Sequence, residues 1–97
     1  MNQEDFLIFA ELNRDKFDEI LQALLKRFEN VEYGRQGDDW IWIHLEGDKI
    51  EIDSFFSMNL EVKGKYEHLP VVRQILQGMS DDWIIQIFDP PKIDMTH

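Results

Sequence analysis

Cysteine is missing from the 97-residue chain, which removes disulfides, thiolate metal sites and a cysteine nucleophile together. Long apolar runs are missing too. The most continuous one, Phe6-Leu7-Ile8-Phe9-Ala10, falls far short of the roughly 20 residues a membrane-spanning helix needs, and no basic-then-apolar leader precedes it. Basic residues are scarce: 10 Lys and Arg stand against 20 Asp and Glu, a formal net charge of −10. Acid in that excess, spread along the chain, repels phosphate backbones and anionic lipid and speeds encounter with basic partners. The expectation is a soluble, cytoplasmic protein that binds neither nucleic acid nor membrane, although acidity also serves plain solubility. Gly-x-Gly-x-x-Gly and Walker patterns are absent; Gly34 and Gly37 bracket a turn, and Asp38 and Asp39 follow where an anion would sit. No motif diagnostic of a reaction is present, and no cofactor is implied.

What is present is patterning. In 38–53 (Asp-Asp-Trp-Ile-Trp-Ile-His-Leu-Glu-Gly-Asp-Lys-Ile-Glu-Ile-Asp) aliphatic residues alternate with Trp, His and charged residues at period two, the signature of paired strands. Gly47-Asp48 suits a two-residue turn, because Gly accepts positive φ freely and Asp better than most. That turn would oppose Leu45 to Ile50, Ile43 to Ile52, His44 to Glu51, Trp42 to Asp53 and Trp40 to Phe55, since a one-residue slip sets each Ile against a charge. The run 58–63 alternates as well. An odd loop such as Phe55-Phe56-Ser57 would then set Leu60 against Ile52 and Glu61 beside Glu51, making a row of His44, Glu51 and Glu61 across three strands.

Around this meander, residues 6–11 read as a buried strand, with a short helix as the alternative. Asn13 is a good N-cap, Leu12 and Phe17 can form a hydrophobic staple, and Asp15, Asp18 and Glu19 favour a helix start. Phe17, Ile20, Leu21, Leu24, Leu25 and Phe28 then recur at helical spacing. A second amphipathic helix carries Val72, Ile75, Leu76 and Met79, with Pro70 at its start and Gly78 at its end. Asp81-Asp82-Trp83 opens a last strand that Asp89-Pro90-Pro91 should stop. Asp-Asp-Trp thus precedes a strand twice, an echo that suggests two similar halves.

These elements predict an α+β fold: a two-layer sandwich, β-α-β-β-β-α-β, as a ferredoxin-like (split β-α-β) variant with two helices on one face of a four- to five-stranded sheet. The length suits one domain over residues 1–97, with 92–97 a frayed tail.

The function classes follow from the face that the aliphatics leave free. Trp40 and Trp42 there, among Glu46, Glu51, Asp53 and Glu61, predict a partner-binding surface or a face covered by another segment. The first reading is a small acidic non-enzymatic protein-binding module, for instance an immunity- or antitoxin-type inhibitor of a basic partner. A second is a dimeric small-molecule-binding regulatory domain that self-associates through the open sheet face. A third is a metal-dependent enzyme around His44, Glu51 and Glu61, one imidazole and two carboxylates that could hold a divalent ion or exchange protons; the plain alternative is a solvated strand face. The Asp38-Asp39 and Asp81-Asp82 pairs read as charges that guard the Trp-Ile runs from aggregation. Ser54, Ser57, Ser80 and Thr96 have no derived histidine partner, so no nucleophile triad is expected.

Overall fold

The alternating and helical runs resolve, in the computed structural model, into β1 (Leu7–Leu12), α1 (Phe17–Arg27), β2 (Val31–Gly34), β3 (Trp40–Leu45), β4 (Asp48–Asp53), β5 (Leu60–Gly64), α2 (Leu69–Gln77) and β6 (Ile84–Ile93). The structure describes residues 6–55 and 57–94. The strands make one antiparallel sheet in the order β2-β3-β4-β5-β1-β6. The fold is therefore α+β, with six strands where the sequence predicts four to five. The additional strand is β2, where Val31-Glu32-Tyr33 reads as a strand start cut short by Gly34 and Gly37; it is a four-residue edge whose Glu32 and Tyr33 are exposed, so it buries no alternating face to read.

Both helices cover the aliphatic face. Phe17, Ile20, Leu21 and Leu24 of α1 and Val72, Ile75 and Leu76 of α2 join Ile41, Ile43, Ile50, Ile52, Leu60 and Val62 in one buried cluster. Those six sheet residues are 0% exposed, and each contributes roughly 1.5–3 kcal/mol relative to an exposed position. Asn13 caps as expected, its Oδ1 accepting the Asp15 N–H at 3.0 Å, but it caps a 3-10 turn, Arg14–Lys16, that leads into α1. Pro70 sits in the first turn of α2, where its missing N–H has no cost.

The central hairpin forms with its register displaced by two. Its loop is Glu46-Gly47, not Gly47-Asp48; Gly47 supplies the positive φ, +79°. Ile43 therefore faces Ile50, Ile41 faces Ile52, Trp42 faces Glu51 and Trp40 faces Asp53. The β4–β5 pairing moves by two as well, opposing Ile52 to Val62, Glu51 to Lys63 and Asp53 to Glu61. A two-residue shift keeps every side chain on its face, so the aliphatics still meet aliphatics.

The last strand is longer than predicted. β6 begins at Ile84, after a 3-10 turn at Asp81–Trp83, and runs through Pro90 and Pro91 to Ile93. Proline is tolerated there because β6 is an edge strand with β1 as its neighbour. The pairing jumps from Ala10–Ile87 to Ile8–Lys92, so residues 88–91 bulge out of the ladder. The frayed tail expected from residue 92 does not begin there: Lys92 and Ile93 are paired, and the buried Asp94 donates its N–H to the Phe6 carbonyl at 2.9 Å. Residues 95–97 and Phe56 lie outside the described residues. The Asp-Asp-Trp echo is not structural, since Trp40 opens β3 while Asp81–Trp83 is a 3-10 turn.

Candidate partner-binding surfaces

Cross-strand partners share a face, so the register specifies what the sheet carries on the side away from the helices. One row runs Glu32, Trp42, Glu51, Lys63, Ile8, Lys92; the next runs Gly34, Trp40, Asp53, Glu61, Glu11, Gln86. Trp40 and Trp42 do lie on this face, with ring centroids 4.7 Å apart. They are half-buried, and their own neighbours occupy them. Lys49 Nζ sits 3.6 Å from the Trp42 ring centroid, a cation–π contact, and the Trp40 ring packs so closely over Gly34 that a Cβ there would lie 2.8 Å from it.

The surrounding carboxylates divide into accessible and inaccessible ones. Glu46 is exposed in the hairpin loop and Glu61 is half-buried, but Glu51 is buried and Asp53 is 0% exposed. Of the six residues predicted for a docking surface, Trp40, Trp42, Glu46 and Glu61 keep at least partial exposure, whereas Asp53 and Glu51 are buried, with Glu51 Oε2 3.8 Å from Lys49 Nζ. Lys63, 1% exposed, places Nζ 2.8 Å from Asp53 Oδ1 and 4.0 Å from Asp94 Oδ2. Among the described residues Asp53 Oδ2 is buried without a donor. Burial pushes the Glu61 carboxyl above its ordinary range; Lys63 opposes this, while Asp94, Asp53 and Glu11 push it further up.

The row of His44, Glu51 and Glu61 does not form. In the observed register His44 faces Lys49, Glu51 faces Trp42 and Lys63, and Glu61 faces Asp53 and Glu11. His44 Nε2 instead contacts Glu32 Oε1 on β2. A different trio comes together: ligand atoms of Asp48, Glu67 and His68 lie within 4.8 Å of one another. The donor set does not suit a cation. His68 Nδ1 accepts the Lys65 N–H at 3.1 Å, which leaves the proton of the neutral ring on Nε2, and Lys65 Nζ already lies 3.1 Å from Asp48 Oδ2. Burial would raise the Asp48 carboxyl, but the Lys49 backbone N–H and Lys65 hold it below the usual range.

The guard-charge reading holds no better for Asp39, which is 3% exposed. Arg14 Nε donates to its Oδ2 at 2.8 Å, and Arg35 donates to Oδ1 at 3.1 Å and Oδ2 at 3.0 Å. Burial alone would push its carboxyl up; the Arg35 and Arg14 bonds outweigh that and hold it low. Arg35 also lies 4.5 Å over the Phe17 ring, so this cluster ties the start of α1 to the β2–β3 loop.

Six of the ten basic groups thus turn toward internal partners: Arg14 and Arg35 to Asp39, Lys63 to Asp53, Lys65 to Asp48, Lys49 to Trp42, and Arg27 to the Gln74 carbonyl, while Lys26 and Arg73 are exposed. Acid is left outside. It is densest where the first turns of α1 meet the turn before β6: Asp15, Asp18, Glu19, Asp81 and Asp82 are all exposed. An open groove of about 560 Å³ lies here, lined by Asp18, Glu19, Gln22, Ala23, Lys26 and the half-buried Trp83. The Trp83 carbonyl accepts the Asn13 N–H at 2.7 Å, which fixes the turn against the entrance to α1. The Ser80 hydroxyl helps hold the Asp82 carboxyl below its ordinary range. Sequence reasoning missed this groove; the one available signal was the spacing of Asp15, Asp18, Glu19 and Gln22 along a single outward helix face.

Among the described residues no helix is long and apolar enough to cross a membrane. Compared with protein-family models, curated proteins and solved structures, the chain matches none.

Proposed function

We propose that the protein is a small, non-enzymatic acidic docking module that binds a basic segment of another protein, in the manner of an inhibitor that neutralises a positively charged surface. The observation that carries this reading is the division of charge described above, with six of the ten cations engaged internally and carboxylates gathered outside beside an aromatic ring. The groove between α1 and Trp83 suits this role better than the Trp40–Trp42 face, because Trp42 already holds a lysine and two of that face's carboxylates are buried. A lysine or arginine stem laid on the Trp83 ring would bring its charged end to Glu19 and to Asp18, whose Oδ1 lies 3.5 Å from Arg35 Nη1, combining cation–π attraction with charge pairing. We further read the sheet order, with β1 between β5 and β6 and α1 and α2 as crossovers, as a split β-α-β, ferredoxin-like plan with an extra hairpin.

Titrating the protein with a peptide rich in arginine and lysine, read by tryptophan fluorescence, tests the reading. Binding should weaken at least about tenfold between low salt and ~0.5 M salt, and again in Asp18→Asn/Glu19→Gln. Affinity unmoved by salt and by the double variant would refute it.

A further inference from the structure

The chain is acidic throughout, yet one surface is close to neutral and apolar. It is the outer edge of β6. That strand ends the sheet, its exposed side has no neighbouring strand among the described residues, and its stretch Ile84-Ile85-Gln86-Ile87-Phe88 carries no charge. Ile85 and Ile87 are 50% and 52% exposed. Natural edge strands usually carry charges that block pairing, and here none interrupts the run. Behind the edge a groove of about 350 Å³ runs between α2 and β6, floored by Leu76, Met79, Ile84 and Ile87, with Arg73 and Asp81 also lining it.

We infer that this edge is the interface for a second copy of the chain, pairing antiparallel β6 to β6 about a two-fold axis near Gln86. Three features select that occupant. A two-fold contact must be complementary to itself, and a groove bearing one cation and one anion meets this condition: Arg73 faces Asp81 of the second copy, and Asp81 faces its Arg73. Pairing centred near Gln86 lays the half-exposed Ile85 and Ile87 of the two copies along one uncharged edge, with Ile85 in a one-residue bulge between Ile84, which faces Leu12, and Gln86, which faces Glu11. Beyond Phe88, the bulge at 88–91 and the missing N–H groups of Pro90 and Pro91 end the pairing, which confines it to the uncharged run. Two chains of charge −10 repel, and a patch whose charges cancel is where they can approach most closely.

Sedimentation velocity over a micromolar concentration series at physiological salt tests the inference. A monomer–dimer equilibrium is expected. Ile85→Lys should weaken it by more than about tenfold, as should Arg73→Asp and Asp81→Arg singly, because each charge reversal opposes like charges across the axis. The double variant Arg73→Asp/Asp81→Arg should restore the dimer, and Tyr33→Lys at the opposite sheet edge should leave it intact; circular dichroism checks that each variant is folded. A protein that stays monomeric throughout overturns the proposal. So does a dimer lost in Tyr33→Lys but kept in Ile85→Lys, a double variant no better than the singles, or growth to larger assemblies. This inference stands apart from the docking groove, since Ile85→Lys and Arg73→Asp leave Asp18, Glu19, Trp83 and the acid cluster beside them unchanged.

Discussion

Replacing Lys63 with methionine is the substitution whose cost the structure specifies best. Methionine keeps most of the side-chain volume, so the packing beneath the sheet is little disturbed and the change is chiefly one of charge. Lys63 is 1% exposed and its Nζ lies 2.8 Å from an Asp53 carboxylate that is 0% exposed. Without the ammonium, the donor left to Asp53 among the described residues is the Phe55 N–H at 3.4 Å, and Asp94 loses a cation at 4.0 Å. Removing one partner of a buried ion pair costs about 3–5 kcal/mol. That is a large share of the roughly 5–15 kcal/mol typical of native proteins. Urea unfolding followed by far-ultraviolet circular dichroism should show the midpoint falling accordingly. Adding Asp53→Asn to Lys63→Met should recover about half of the loss or more, because the pair is then replaced by neutral groups. A single variant within about 1 kcal/mol of the parent, or a double variant no more stable than the single, would refute a buried, mutually dependent charge pair.

Three other outcomes follow from the same geometry. Asp39→Asn should lower stability at neutral pH by about 1–3 kcal/mol. Because the folded Asp39 carboxyl is held low, the parent's advantage should be complete above the ordinary aspartate pKa of about 4 and shrink as pH falls through the lower folded value; thermal unfolding across that pH range reads it. Glu61→Gln should stabilise at neutral pH by about 0.5–1 kcal/mol, since Glu61 faces Asp53 and Glu11 directly. Its carboxyl is raised in the fold, so its cost is present at neutral pH and relieved as pH falls through the raised value, and the two proteins should converge in acid. Gly34→Ala should cost about 1–3 kcal/mol and shift the Trp40 indole resonance, because the added methyl meets the ring at 2.8 Å.

The elements that proved legible are those whose burial is periodic along the chain. Ile41, Ile43, Ile50 and Ile52 announce a sheet face, and Phe17, Ile20, Leu21 and Leu24 announce a helix stripe, because solvent sorts side chains with the period of the backbone. Register escaped for the same reason. Loops at Glu46-Gly47 and at Gly47-Asp48 differ by two in pairing, and a shift of two leaves every residue on its face, so alternation cannot tell them apart. Of β2 only a strand start at Val31-Glu32-Tyr33 is legible, because a short edge buries too little to leave a pattern. The prolines of β6 mislead because they forbid a central strand but are compatible with an edge.

At the sites the division is sharper. The Trp pair and its carboxylates could be assigned to one face from spacing alone, but not the burial of Asp53, which depends on Lys63 arriving from β5 and Asp94 from just after β6. Asp39 meets Arg14, 25 positions away in the chain, and no local pattern signals so distant a partner. Trp83 becomes an acidic groove only when the turn before β6 is placed against α1, and that contact, too, is long-range.

Proton–nitrogen correlation spectra recorded during titration with the arginine- and lysine-rich peptide test the docking claim most directly, because the three indole N–H groups report separately. The Trp83 indole and the backbone amides of Asp18, Glu19 and Gln22 should move in a saturable, salt-sensitive way while the Trp42 indole stays in place. Shifts confined to Trp40 and Trp42, or no shifts at all at low salt, would contradict it.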